Sequence, residues 1–154
     1  MFDKIVVVDV EALCWPYDNK KDKRQIIEIG ACLLDTVSLE ITNTRSIYIK
    51  PRYGKVSKFC HSITGITQED LDEKGLTYSE AIALLKREYK TKSRSWATWG
   101  TYDMSLFKAH SDINNMPLAY AKYPFTDDYT DVASLYSILT CRTKLVSLSD
   151  AVIS

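Results

Sequence analysis

The sequence predicts an α/β fold, in which a mixed sheet carries helices on its faces. Three apolar segments come first, near residues 4–10, 26–34 and 41–49, and short connections join them. Because short connections join antiparallel neighbours, these segments are expected to form a three-strand meander. A helix, a strand and a second helix follow, and this order adds parallel strands to such a sheet.

Length and composition are those of one globular domain over residues 1–154. The chain is 45% hydrophobic and 26% charged, and Lys plus Arg and Asp plus Glu each number 20, so the formal net charge is zero. This balance argues against a protein that holds nucleic acid mainly by neutralising phosphates. The sequence contains neither an apolar run of the ~20 residues that cross a bilayer nor a signal peptide, which predicts a cytoplasmic protein without a membrane partner.

The four cysteines predict reduced thiols. They are Cys14, Cys32, Cys60 and Cys141. No pair has the spacing of a zinc site, and nothing indicates the secretory context in which a disulfide framework forms.

The first strand is predicted to be central. Residues 4–10 (KIVVVDV) are apolar on both faces of a period-two pattern. Such a pattern is typical of a strand that is covered on both sides.

The pattern becomes helical after Pro51. Short helices are predicted near 57–62 and 67–73, followed by a longer one that begins with a capping box over residues 77–80 (TYSE). Its apolar stripe has helical spacing and consists of Tyr78, Ala81, Ile82, Leu85 and Tyr89.

A strand is predicted over residues 95–99, and a helix over 101–111 directly after it. A further helix is predicted over 132–139, with one apolar face formed by Val132, Leu135, Tyr136 and Leu139. A last helix begins near Leu148 and carries no Gly, Asn or Pro stop signal before Ser154. The expectation is therefore a domain that is truncated at its C-terminus.

Two acidic sites could carry chemistry. Asp9 and Glu11 close the first strand, and as residues i and i+2 they share one face with Cα atoms about 6.5–7 Å apart. Asp103 lies in the first turn of the helix after the fourth strand. Solvated strand-end acids and simple helix-dipole complementation are the alternatives. Both sites lie at strand ends, where α/β sheets bind ligands.

Several motifs recur in the order and spacing of one enzyme superfamily. They are VVDVEALCWPYD, IIEIGACLLD, KVSKFCHSITGITQEDLDEKGLTYSEAI and WATWGTYDMSLF. Together they resemble the DEDD-type 3′→5′ exonucleases, and within them the Eri-like branch that trims RNA 3′ ends. The resemblance extends from about residue 3 to residue 154.

The resemblance implies an RNase H-like fold and two Mg²⁺ or Mn²⁺ ions held by Asp9, Glu11 and Asp103. It also places Ala12 where family members bring backbone groups close to the terminal nucleotide. Phe59 and Tyr102 match rings that sandwich the terminal base, with core packing as the alternative for both. The implied substrate is the 3′ end of a single-stranded nucleic acid, RNA rather than DNA, and the product is a nucleoside 5′-monophosphate.

The chain departs from the family in its third motif. The fourth acid and the general-base histidine of this branch are absent, and His61 and His110 do not take their place. Asp131 and Asp150 are explained by helix starts. The first hypothesis is thus a metal-dependent exonuclease that is nearly inactive as this 154-residue chain. The second is a nucleotide- or RNA-binding regulatory module of the same fold.

Overall fold

The secondary structure follows the predicted order. The computed structural model describes residues 3–17, 24–111 and 122–153. Its strands are β1 (Lys4–Ala12), β2 (Ile26–Asp35), β3 (Ile41–Tyr48), β4 (Trp96–Thr98) and β5 (Tyr129–Asp131). Its helices are α1 (Lys58–Thr64), α2 (Gln68–Lys74), α3 (Tyr78–Leu84), α4 (Tyr102–Ser111), α5 (Val132–Leu139) and α6 (Leu148–Ile153), and a π-helical turn, Leu85–Tyr89, continues α3.

The strands form one mixed sheet in the order β3-β2-β1-β4-β5. β1, β2 and β3 pair antiparallel, whereas β4 runs parallel to β1 and β5 parallel to β4. The predicted meander with added parallel strands is therefore confirmed. β5 was not predicted, because its residues (YTD) are only half-buried and form no apolar run, unlike those of the equally short β4 (WAT).

One face of β1 lies in the core and the other does not. Val6, Val8 and Val10 are buried against α3 and α4. On the opposite face Val7 is only half-buried and Asp9 is exposed. The expectation that β1 is covered on both sides is wrong for the described part of the chain. A run of apolar side chains in a strand does not show which other elements pack on each face.

An aromatic cluster fixes β4 against the helices. The ring of Trp96 is fully buried and stacks on Phe125 with centroids 4.0 Å apart. Phe107 of α4 meets Phe125 edge-on at 5.0 Å. Burying such a side chain is worth about 1.5–3 kcal/mol. The cluster thereby holds the start of α4 at the end of β4, next to β1.

The helix caps agree with the sequence pattern, but one buried face does not. Thr77 and Glu80 form the predicted capping box of α3. In α5 the buried residues are Ala133 and Ser137, whereas Leu135 and Leu139 of the predicted face are exposed. Small residues allow the helix to approach the sheet closely, and the Ser137 hydroxyl donates to the Ala133 carbonyl at 2.9 Å. No helix in the described ranges is both long and apolar enough to cross a membrane.

Candidate functional site

The end of β1 presents two carboxylates on the face that the core leaves open. In the antiparallel ladder Asp9 pairs with Gly30 and Glu11 pairs with Glu28. Directly opposite residues lie on the same face of a sheet. Three acidic side chains, Asp9, Glu11 and Glu28, therefore share this surface.

Asp103 reaches the same strand from α4. β4 pairs with β1 only at Val6 and Val7, so the amide of Val10 has no strand partner on that side. The Asp103 carboxylate takes this place, and its Oδ1 accepts the Val10 N–H at 3.1 Å. Asp103 is only 4% exposed. A buried amide requires a partner, so this hydrogen bond fixes the carboxylate beside β1.

The turn before α4 allows this approach. Gly100 has φ +82°, a left-handed conformation that glycine adopts without steric cost. Its amide donates to Asp131 Oδ1 at 3.0 Å. Asp131 also caps α5 by accepting from the amides of Ala133 and Ser134. Asp131 thus has the structural role that was expected of it.

The acids repel one another. Burial, followed by the charge of Asp9, raises the pKa of Asp103 to about 6, although the Val10 amide partly opposes this. Desolvation and then Glu28 raise the pKa of Asp9. Desolvation and the neighbouring charges of Asp9, Glu28 and Asp103 raise the pKa of Glu11. The site is therefore a region of uncompensated negative charge.

The donor chemistry of this region suits a hard divalent cation. Carboxylate oxygens are the ligands that Mg²⁺ and Mn²⁺ prefer. As placed, no three His, Cys, Asp or Glu side chains of the described residues lie close enough together to hold an ion. Asp9 is exposed and Glu11 half-buried, so packing does not lock either side chain, whereas Asp103 is fixed.

Glu28 was missed in the sequence. It is held by Ser46, whose hydroxyl donates to its carboxylate. The signal was available, because Glu28 is a charged residue inside the apolar run IIEIG. Only the register of β1 and β2 places it opposite Glu11.

The two predicted base-binding rings are both solvent-accessible. Phe59 of α1 is 36% exposed, and Tyr102, the first residue of α4, is 48% exposed. Arg24 Nη1 donates to the Tyr102 hydroxyl at 3.2 Å, and its guanidinium lies 5.8 Å from the ring centroid. Neither ring is packed in the core, which was the alternative explanation for them.

Ala12 is buried, and its carbonyl accepts from the Cys60 thiol at 3.6 Å. Cys60 follows Phe59 in α1. This contact ties the end of β1 to the helix that carries the predicted ring. The polar segment 20–24 (KKDKR) is a possible guide for a nucleic-acid backbone; residues 20–23 lie outside the described residues, and Arg24 contacts Tyr102.

Both histidines of the chain have local partners away from the carboxylates. His110 is buried, with Nδ1 2.8 Å from the Leu106 carbonyl and Nε2 accepting the Ile26 amide at 3.3 Å. His61 Nδ1 lies 3.1 Å from the Ile66 carbonyl. Asp150 accepts from Ser147 at the start of α6, as expected for a helix cap. None of the three is placed in contact with Asp9 or Asp103.

The chain is similar in sequence to known exonucleases. A family model described as exonuclease matches residues 6–138. The chain is 32% identical over 156 residues to 3′-5′ exoribonuclease 1 of Homo sapiens, a match that covers 94% of this chain and 43% of that protein. It is 30% identical over 113 residues to the probable 3′-5′ exonuclease KapD of Bacillus subtilis (strain 168), covering 73% of this chain and 51% of that protein.

Solved structures share the fold. The nuclease domain of 3′hExo, described as a DEDDh family member bound to rAMP, is similar with a TM-score of 0.75 and 28% identity. The match covers 97% of this chain and 74% of that one. This likeness confirms the expected RNase H-like sheet. The chain spans 43% and 51% of the two curated relatives named above.

Proposed function

This chain belongs to the exonuclease family, and on that premise we propose that it hydrolyses single-stranded nucleic acid from the 3′ end. We further propose RNA as the preferred substrate and nucleoside 5′-monophosphates as products. Support for RNA comes from the human relative, whose name is exoribonuclease, and from the similar nuclease domain, which holds rAMP.

One observation carries the proposal. Asp103, from a distant part of the chain, is fixed by the Val10 amide on the strand that presents Asp9 and Glu11. A sheet of this class binds its ligands at the ends of its strands. Family membership implies a requirement for divalent metal, and we propose Mg²⁺ or Mn²⁺ held by these three carboxylates.

The carboxylates and the aromatic rings have separate proposed roles. When bound, divalent ions in such sites stabilise the attacking and leaving oxygens of an in-line displacement at phosphorus. Asp103 offers the oxygen that the Val10 amide does not use, while Asp9 and Glu11 offer carboxylates on the open face. We propose that Phe59 and Tyr102 hold the terminal base between them. We propose that the backbone of Ala12 lies close to the terminal nucleotide, at a position fixed by the hydrogen bond between its carbonyl and the thiol of Cys60, the residue after Phe59.

Removing one carboxylate tests the proposal directly. A short RNA labelled at its 5′ end should be shortened stepwise but slowly in Mn²⁺. Asp9→Ala should reduce this slow rate by about 100-fold or more, since loss of a ligand weakens ion binding and charge stabilisation. Asp127→Ala removes an exposed acid elsewhere and is the matched control. An Asp9→Ala protein that trims RNA at the parent rate would refute the assignment of Asp9.

The rings are tested by nucleotide binding. Tyr102→Ala or Phe59→Ala is expected to weaken binding of a mononucleotide by about 1–3 kcal/mol, the usual worth of base stacking on an aromatic side chain. Calorimetry measures the affinity, and thermal unfolding checks the fold. Because both rings are exposed, the melting temperature should change little. Unchanged affinity with a large loss of melting temperature would assign the rings to packing instead.

A second candidate function rests on the histidines. Because both lie away from the carboxylates, the chain could bind a 3′ end without cleaving it, as a regulatory module of the same fold. Binding of labelled RNA without any shortening, in both Mg²⁺ and Mn²⁺ and over long incubation, would favour this function over the first.

A further inference from the structure

A cavity of about 440 Å³ lies away from the carboxylates. It opens between the start of β2, the end of β3, the first turn of α3 and the last turn of α4. None of Asp9, Glu11 or Asp103 lines it. Its volume falls within the range of roughly 300–1,000 Å³ that is usual for ligand pockets.

The cavity walls are largely apolar and include flat rings. Ile26, Ile49 and Pro51 line it together with Tyr78 and His110. The two aromatic rings lie 5.1 Å apart between centroids. Because the Ile26 amide donates to Nε2 of His110, the ring proton is on Nδ1, which donates to the Leu106 carbonyl. Both nitrogens are therefore satisfied, and a neutral ring is presented to the cavity.

Cations stand beside this apolar space. Lys50 and Arg52 line the cavity and are both exposed. Tyr78 adds a buried hydroxyl that lies near the side chain of Ser111. A ligand with a flat apolar part and an anionic part matches these features, and a nucleotide has both.

Two segments of the chain have residues both at the candidate active site and at the cavity. Arg24, which donates to the Tyr102 hydroxyl, directly precedes the lining residue Gln25. Helix α4 begins at Tyr102 and reaches His110 eight residues later, a distance of about 12 Å at the rise of an α-helix. A strand whose 3′ end lies at the carboxylates can therefore extend toward the cavity.

We propose that this cavity is an accessory subsite for an upstream nucleotide of the substrate strand. This inference rests on the proposed function. The base occupies the apolar space beside Tyr78 and His110, and a phosphate lies at Lys50 and Arg52. The subsite increases the affinity for a strand over that for a single nucleotide. This gain does not require a positive net charge, and the net charge of the chain is zero.

Filling the cavity tests the proposal. In EDTA, where the strand is not cleaved, a tetraribonucleotide should bind the parent protein at least about tenfold more tightly than a mononucleotide, since each stacked base adds affinity. Ser79→Phe places a ring at the cavity from an exposed lining position and should remove this gain, with mononucleotide affinity unchanged. Ala83→Phe, one turn along α3 at an exposed position outside the cavity lining, should retain it.

Removing charge gives an independent measurement. Lys50→Gln should lower the salt dependence of tetranucleotide binding by about 0.7 in the logarithmic slope, the value for one phosphate contact on a single strand. Lys108→Gln, exposed and outside the lining, should leave the slope unchanged. Melting temperatures identify any variant that fails to fold. Because Ser79→Phe and Lys50→Gln are measured separately, the test does not depend on the folding of one variant.

The outcomes separate this proposal from the proposed function. Equal affinity for mono- and tetranucleotides, or an unchanged gain in Ser79→Phe, overturns the subsite while metal-dependent shortening of RNA still supports the exonuclease. A length-dependent gain lost only in the cavity variants supports the subsite. If the tetranucleotide binds tightly but no RNA is shortened in either metal, the subsite stands and the exonuclease proposal fails.

Discussion

Replacing Asp103 with asparagine is expected to stabilise the metal-free protein at pH 7. Burial and the nearby charge of Asp9 raise the pKa of this carboxyl from 3.8 to about 6. At about 1.4 kcal/mol for each pH unit, this change lowers the free energy of unfolding at pH 7 by on the order of 2–3 kcal/mol. Asparagine keeps the oxygen that accepts the Val10 amide and removes the charge. Urea unfolding in EDTA measures the difference.

The sign of the pH dependence follows from the direction of the shift. A carboxyl whose pKa is raised on folding binds its proton more tightly in the folded state, so its stabilising contribution is present below about pH 4 and is lost as the pH rises through about 6. The advantage of Asp103→Asn should therefore appear between these values and vanish below them. Mn²⁺ should stabilise the parent and not the variant.

Asp131 provides the contrasting control. Although partial burial raises its pKa, hydrogen bonds from Ser134, Gly100 and Ala133 outweigh this and hold the pKa below its usual value. Asp131→Asn should therefore destabilise the protein at pH 7. If the Asp103→Asn protein is also less stable than the parent at pH 7, neighbouring groups stabilise the charged form of the Asp103 carboxylate. The site would then not be a region of uncompensated negative charge.

The rate of RNA shortening is expected to rise with pH through neutrality, by about tenfold per unit, as for a reaction that uses hydroxide in place of a general base. Both histidines are engaged by backbone groups elsewhere in the fold. A positioned base usually contributes about 10²–10⁴-fold, so the chain should be slow at pH 7 and added imidazole should accelerate it.

Initial rates between about pH 5 and 9 at saturating Mn²⁺ measure this pH dependence, with the Asp9→Ala protein as the background. Below about pH 6 the rate should fall more steeply, because protonation of Asp103 competes with the ion. A rate that does not change with pH between about 7 and 9 would contradict this prediction and would show that a side chain, rather than hydroxide, activates the water.

The sequence predicted what depends on local pattern. The alternation of period two predicted β1 and placed Asp9 and Glu11 on one face of it. The capping box predicted the start of α3. Asp103 was a candidate because it opens the helix after a strand. What these residues do together stays a prediction until the variants are measured.

Other features depend on contacts between distant segments, and local pattern could not supply them. Glu28 became part of the acidic face only through the register that sets it opposite Glu11. The buried side of α5 was misassigned because close approach to the sheet favoured Ala133 and Ser137 over larger apolar residues. The cavity between Lys50 and His110 joins residues that are sixty positions apart and has no signature in the sequence.

The hydrogen bond between Val10 and Asp103 makes one backbone amide a reporter of the whole site. The short β4 strand leaves this N–H to a side chain that titrates, so the proton shift of Val10 in an NMR spectrum should move when Asp103 gains a proton or an ion. Its exchange with deuterated solvent should slow when the carboxylate is held in place. Occupancy of a site built from side chains can thus be followed at a single peptide group, without substrate and without turnover.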